Sequence, residues 1–403
     1  MKTGGLRVVV SGLAGTYPFG GVFWDYFQYV LGFARLGHDV LYVEDTGRWV
    51  YDAVSGTFVD DAARNVAVLA EAVRATAPAA AEHWFVRDAT GRTYGRSWPD
   101  VADFCRSADL FLNISGSSMM RDEYFTARAV VYVDTDPMYT QGTVARWAAG
   151  DSDPDVTWRM KVLRHHRLFL TFAENIGAAE SRVPRDVFAW APTRQPIVLD
   201  CWSSMRLPVS ARRRVLTTVA SWEPSERGPV IDGVEYGGKS REFERFLGLP
   251  DRSRLPLEVA LSGPAPVERL RQHRWHITDG YAVSRDPSTY RRYLASSSGE
   301  WSVAKHAYVA SRSGWFSCRT ACYLALGVPA IVQDTGFAVA IPTGRGVLSF
   351  ATLDEAAEAI ERMAADLGQH SSAAVDIARE YFDSDRVLTH MLEHTLGTAM
   401  PRS

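Results

Sequence analysis

The sequence predicts an α/β protein built from two Rossmann-like domains that face a central cleft. Three observations predict it. Apolar runs of strand length alternate with helical stretches, a proline-containing break without periodicity interrupts them near the middle, and the alternation then starts afresh. A chain of 403 residues is long enough for two separate cores. The expected division is 1–200, 201–375 and a terminal helical segment over 376–403.

In the first half, Leu6–Ser11 reads as a buried strand, followed by the Gly-rich loop Gly12–Gly21. A helix is expected from about Val22 to Leu36, ended by Gly37. Val40–Val43 is the second strand and leads into Glu44-Asp45-Thr46-Gly47. An Ala-rich helix follows over Asp60–Thr76, then a hairpin over Trp84–Tyr94 that turns at Ala89-Thr90-Gly91. Leu110–Ile114, Val130–Val133, Leu168–Phe172 and Val187–Trp190 complete the strands. Strands spaced by helices imply a parallel sheet with crossover connections.

Pro192–Pro208 is the break. Beyond it, strands are expected at Val215–Ala220, Leu257–Ser262, His276–Thr278, Trp301–Val309, Ala330–Gln333 and Val347–Phe350, with a helix near Ser288–Ser297 and another over Arg319–Leu326. Two amphipathic helices, Leu353–Leu367 and Ala373–Leu396, close the chain.

Composition narrows the partners. The net charge is −3 and the charges are dispersed, with no polybasic run, which argues against nucleic acid. No apolar run reaches bilayer-spanning length, and the N-terminus reads as a strand rather than a leader, so a soluble cytoplasmic protein, monomeric or homodimeric, is expected. The cysteines Cys105, Cys201, Cys318 and Cys322 lack a zinc spacing and read as apolar thiols, so no metal and no cofactor are expected. Among 44 basic residues only Lys2, Lys161, Lys239 and Lys305 are lysines. A lysine is a compact, movable charge suited to phosphate, although a solvated surface lysine accounts equally well for each.

Ligands of open parallel sheets bind beyond the carboxyl ends of the strands. There, the turn at Ser311–Ser317 opens into a helix whose free N–H groups and dipole attract an anion, and Arg319 stands in the first turn of that helix, where a cation opposes the dipole. A phosphate-bearing ligand would resolve that conflict; so would a plain salt bridge. The first loop is not a GxGxxG fingerprint, and the chain has no P-loop, GxSxG elbow or HExxH.

The segment 301–337 resembles the nucleotide-sugar domain of GT-B glycosyltransferases. The shared order is strand Val303–Val309, small-residue loop Ser311–Ser317, helix Arg319–Leu326, turn Gly327-Val328-Pro329, strand Ala330–Gln333 and polar loop Asp334-Thr335-Gly336. The resemblance implies a GT-B plan, with the terminal helix packing back on an acceptor-binding first domain. It implies metal-independent sugar transfer from a nucleoside diphosphate to a small-molecule acceptor, as in natural-product tailoring. A sugar-nucleotide epimerase, a pseudo-glycosyltransferase or a non-catalytic nucleotide-sugar binder fits the same pattern. Two departures are clear: Cys322 stands where many of these enzymes carry a ribose-binding Glu, and Gly314 stands where retaining families place the first Glu of Glu-x7-Glu.

The resemblance assigns donor binding to Ser313, Gly314, Trp315, Phe316, Ser317 and Arg319, with Lys239 and Lys305 against the phosphates. Tyr281 is a candidate to stack on the base, and Asp334 and Thr335 to bind sugar hydroxyls, with an Asx-turn as the alternative for Asp334. Asp25, Asp136 and Glu174 are candidates for the catalytic base, Asp25 being expected in the first turn of its helix, where a dipole role serves as well. Gly15, Tyr17, Phe19, Gly20 and Trp24 are candidates for the acceptor pocket, and Phe23 with Phe27 reads equally as a core stripe.

Overall fold

The computed structural model describes residues 5–222, 228–231 and 233–399, which leaves Lys2 outside the described residues. Two large sheets organise them. The first runs Trp190–Pro192, Leu168–Thr171, Ala129–Asp134, Leu110–Ile114, Arg7–Ser11, Asp39–Asp45, Trp84–Arg87 and Thr93–Gly95 from edge to edge. It is parallel except for the last pair, the hairpin. The second runs His276–Asp279, Leu257–Ser262, Arg213–Ser221, Ser297–Ser302, Ala330–Gln333 and Val347–Phe350, parallel throughout. The central strands are almost wholly buried, as sheets covered on both faces require.

Three elements differ from the sequence reading. The strand expected at Trp301–Val309 is Ser297–Ser302, and a short helix, His306–Ala310, follows. Ser297, Ser298 and Gly299 look like a turn but are buried in a central strand. Ser297 Oγ meets Thr217 Oγ1 at 2.6 Å, and Ser298 Oγ donates to Arg213 O at 2.7 Å, so the hydroxyls are satisfied by the neighbouring strand. A Cβ on Gly299 would sit 2.7 Å from Met363, so the sheet has no room there for a side chain. The strand expected at Val187–Trp190 lies instead at Trp190–Pro192. The helix expected over Ala373–Leu396 is instead Leu367–Ile377, a wide turn at Ala378–Phe382, and Ser384–Ala399.

That break has a cause. Ile197 N donates to Phe382 O at 2.7 Å and Ser384 N to Ile197 O at 2.9 Å, so the chain between the two sheets pairs with the segment returning from the second. The last helix then packs on the Gly20–Arg35 helix. Gly32 makes the approach possible, since a Cβ there would lie 2.5 Å from Leu388 Cδ1.

The two halves also meet at the start of the Gly20–Arg35 helix. Gly21 N donates to Ser284 Oγ at 3.1 Å and Trp24 Nε1 to Pro287 O at 3.2 Å. A Cβ on Gly20 would lie 2.3 Å from the carbonyl oxygen of Asp286, a backbone atom that cannot rotate away. Gly20→Ala is therefore expected to lower stability by about 1–3 kcal/mol, the usual range for overpacking. Urea unfolding would check this, and an unchanged midpoint would mean that the contact does not form.

Candidate functional site

Each sheet reverses its strand order once, between Arg7–Ser11 and Leu110–Ile114 in the first and between Arg213–Ser221 and Ser297–Ser302 in the second. Crevices at such reversals are where doubly wound sheets hold ligands. From the first sheet, the glycine loop and the Ser115–Ser118 and Asp134–Asp136 turns reach the crevice. From the second come the segments carrying Lys239, Lys305 and Arg319.

Lys239 opens a short helix, Lys239–Phe243, after Gly237-Gly238. Its ammonium is half-buried and has no hydrogen-bond or ion-pair partner among the described residues. Burial pulls its pKa down to about 7, aided by the cations Arg319 and Lys305 and opposed by Glu300 and Asp136. An anion placed there would restore the charge. Lys305 is not in a strand: it caps the His306–Ala310 helix, and its Nζ lies 2.6 Å from Asp136 Oδ1.

Arg319 does stand in the first turn of its helix, Cys318–Ala325, but the conflict with the dipole is resolved from inside the protein. Arg319 Nε donates to Glu300 Oε1 at 2.8 Å, and Glu300 is fully buried. The guanidinium also donates to Val219 O and to Ser302 Oγ. Beside this helix start lies a cavity of about 20 Å³, bounded by Ser302, Phe316, Ser317, Thr320 and Gln333. That holds roughly one water and no diphosphate.

The rest of that turn is occupied with protein contacts. Gly314 N donates to Thr335 O, and Asn175 N to Ser313 O. Gly314 has a φ of +78°, and a Cβ there would lie 2.7 Å from Asn175 N. Trp315 Nε1 donates to Thr135 O, Phe316 packs between Phe337 and Phe382, and Thr335 Oγ1 donates to Trp315 O. Asp334 pairs with Arg312 and accepts from Gly336 N, which is the Asx-turn. Ser313, Gly314, Trp315, Phe316, Asp334 and Thr335 thus seal the seam between the halves.

Among the candidate bases, Asp25 differs from its sequence reading: the helix starts at Gly20, so Asp25 lies in the second turn and does not serve the dipole. Burial pushes its carboxyl up to about 7, helped by Asp136 and opposed by Arg319. Its carboxyl accepts no hydrogen bond from any described residue. Asp136 already accepts from Lys305 Nζ and the Tyr308 hydroxyl. Glu174 is buried against Arg194, with Nε 2.6 Å from Oε1, and its backbone lies in the seam at Gly314.

On the first-sheet side, Gly15 is not free to meet a ligand. Its N–H donates to Glu44 Oε2 at 2.8 Å and its carbonyl accepts from Asn65 Nδ2 at 2.9 Å. Trp24 is fully buried, tilted against Trp202, and Phe23 stacks on Phe27 as a core stripe. Tyr17 and Phe19 remain partly exposed. Tyr17 meets Phe58 edge-on at 6.1 Å, while Phe19 lies 5.1 Å from Tyr281, which also stacks on Tyr51 at 5.4 Å. Tyr281 therefore joins an aromatic cluster shared by both halves rather than standing alone.

Sequence reasoning missed Glu300, Glu242 and His306, and no local pattern marks them: each acts through a partner far along the chain. Ser115, at the end of the strand Leu110–Ile114, is a non-glycine residue at φ 58° whose Oγ lies 2.6 Å from Thr135 Oγ1 at the first sheet's reversal. Among the described residues, no three His, Cys, Asp or Glu side chains converge as a metal-ligand set. No helix there is long and apolar enough to cross a membrane.

Two doubly wound sheets facing one crevice, with the last helix returned to the first, define the GT-B glycosyltransferase fold, and the chain has that fold. It is similar over nearly its whole length to an alpha-glucosyltransferase solved with UDP-glucose and DNA containing an abasic site, at 10% identity and a TM-score of 0.57, covering 98% of this chain and 100% of that one. AviGT4, a glycosyltransferase involved in Avilamycin A biosynthesis, matches at 12% identity and a TM-score of 0.53, with 98% of each chain covered. Anabaena Alr3699/HepE in complex with UDP and glucose matches at 12% identity and 0.53, covering 96% of this chain and 99% of that one. No family model and no curated protein sequence matches the chain.

Proposed function

We propose that the chain is a glycosyltransferase that moves a sugar from a nucleoside-diphosphate donor to a small-molecule acceptor, without a metal ion. One observation carries this reading. Lys239, a half-buried ammonium without an ion-pair partner among the described residues, and Asp25, a carboxyl on the opposite half that is balanced between its two forms near pH 7, both feel the charges of Asp136 and Arg319. A diphosphate supplies the missing anion, and Lys305 and Arg319 add to the positive field that receives the leaving group. Asp25 takes the acceptor's hydroxyl proton as that oxygen attacks the anomeric carbon, while the bond from that carbon to the phosphate oxygen breaks.

The aromatic cluster of Tyr17, Phe19, Tyr51, Phe58 and Tyr281 offers apolar surface for the acceptor at the mouth of the crevice. A net charge of −3 gives no footprint for a polyanionic acceptor, which favours a small molecule over nucleic acid. A natural-product tailoring role in the cytoplasm, as a monomer or homodimer, is part of the proposal; the likeness to AviGT4 supports the tailoring role.

Binding of UDP, dTDP or GDP should raise the unfolding temperature, by the amount that mass action dictates for the affinity. No shift with any of the three counts against the reading. Hydrogen bonds to charged groups contribute about 1.5–3 kcal/mol, so Lys239→Ala should weaken diphosphate binding roughly tenfold to a hundredfold. Titration calorimetry would measure this, and Lys239→Arg should retain most of the affinity.

A further inference from the structure

The two lysines of the proposed donor site lie on segments 66 positions apart in sequence, and like charges repel, so something must hold them together. The fold joins these segments at one buried carboxylate. Glu242 lies three residues after Lys239 on the same short helix and is almost fully buried. Its Oε1 lies 2.6 Å from His306 Nδ1, and His306 directly follows Lys305. Its Oε2 accepts from Gln333 Nε2 at 2.6 Å and from Arg245 Nη1 at 2.6 Å. Gln333 Oε1 in turn accepts from Ala304 N at 3.1 Å, which fixes the residue before Lys305.

The backbone repeats the link: His306 N donates to Gly238 O at 3.1 Å and Ala307 N to Gly237 O at 3.0 Å. Every partner of Glu242 except Arg245 thus acts on one of the two lysine-bearing segments. The carboxylate touches neither lysine in the structure and lines no part of the cavity at the helix start. Its charge is held by three donors, and it keeps the Lys239 helix in register with the Lys305 turn.

We propose that Glu242, acting through His306 and Gln333, is the positioning residue that sets the spacing of the Lys239 and Lys305 ammonium groups for a diphosphate. This rests on the donor reading given above. A carboxylate accepts from all three partners at once, whereas an amide would turn an N–H towards one of them, which Gln333 Nε2 and Arg245 cannot accept and His306 Nδ1 meets only in its other tautomer. Glu242 governs where the charges stand and leaves proton transfer at Asp25 untouched.

The test compares UDP with uridine on the full chain. Glu242→Gln and His306→Ala are each expected to weaken UDP binding tenfold or more, raising KM for the donor while kcat changes less than threefold. Uridine, which has no phosphate to place, should bind as it does to the parent. Glu242→Asp, which keeps the charge, should recover part of the UDP affinity. UDP binding within twofold of the parent in both variants overturns the inference, as does a parallel loss for UDP and uridine, which marks general loosening. Should Glu242→Gln fail to fold, His306→Ala, altered at a partly exposed position, decides the matter. Lys239→Ala separates the two levels. If it weakens UDP while the Glu242 and His306 variants do not, only this inference falls. If the parent binds neither UDP nor pyrophosphate, the donor reading falls and takes this inference with it.

Discussion

Asp25→Asn is expected to reduce turnover by about 10²–10⁴-fold, the usual contribution of a positioned general base, while leaving nucleotide binding intact. The same change should make the protein more stable above neutral pH. The sign follows from linkage: burial, with Asp136 adding to it, raises the folded-state pKa of Asp25 from 3.8 to about 7. Between those two values the unfolded chain releases a proton that the folded chain keeps, so this group's contribution to stability falls as pH rises across that window. Asparagine cannot ionise and avoids the loss. In the parent, the proposed base must be ionised and Lys239 must be charged, and both groups stand near 7, so kcat/KM should pass through a maximum near pH 7 and fall towards pH 6 and pH 8. Steady-state rates and thermal unfolding at pH 6, pH 7 and pH 8 would check both halves. A variant that keeps parental turnover would remove Asp25 from the chemistry, and Asp136 would be the next residue to change.

The second large effect is expected at Glu300→Gln. This carboxylate is fully buried and is the acidic partner of Arg319. Breaking a buried pair by neutralising one member typically costs about 3–5 kcal/mol, because the other charge stays buried without compensation. Arg319 would keep Val219 O and Ser302 Oγ as acceptors, which offset a part of that. Urea unfolding gives the measure, and a loss below roughly 1 kcal/mol would show the pair to be energetically idle.

Much of the architecture was legible in the sequence, because strands buried on both faces give continuous apolar runs that differ from amphipathic helices. Ser297-Ser298-Gly299 was misread for a physical reason: small hydroxyl residues look like a turn until a neighbouring strand is present to accept their hydrogen bonds. The same blindness governed the site. Lys239 and Asp25, on which the proposed reading rests, stand out by residue type and by position after a strand or loop. The Arg319–Glu300 bond does not, since it joins a strand to the following helix face through a contact no linear pattern encodes. Gly15 and Gly314 misled in the opposite direction, for glycines that suit a close ligand suit equally a close stretch of the protein's own backbone. Nor did the sequence reveal how completely the 311–317 turn would be occupied by Asn175 and Thr335 from neighbouring loops.

The pairing of Ile197 with Phe382 and Ser384 carries a mechanical consequence. The polypeptide crosses between its halves twice, outward before Arg213 and homeward at Ala378–Phe382, and two backbone hydrogen bonds join the crossings side by side. A widening of the crevice that pivots about this bridge would have to part the Gly20–Asp286 contact and the Gly21–Ser284 hydrogen bond on the far side. Amide exchange should accordingly be slow at Ile197 and Ser384 and fast at Gly21, the amide that a swing would release.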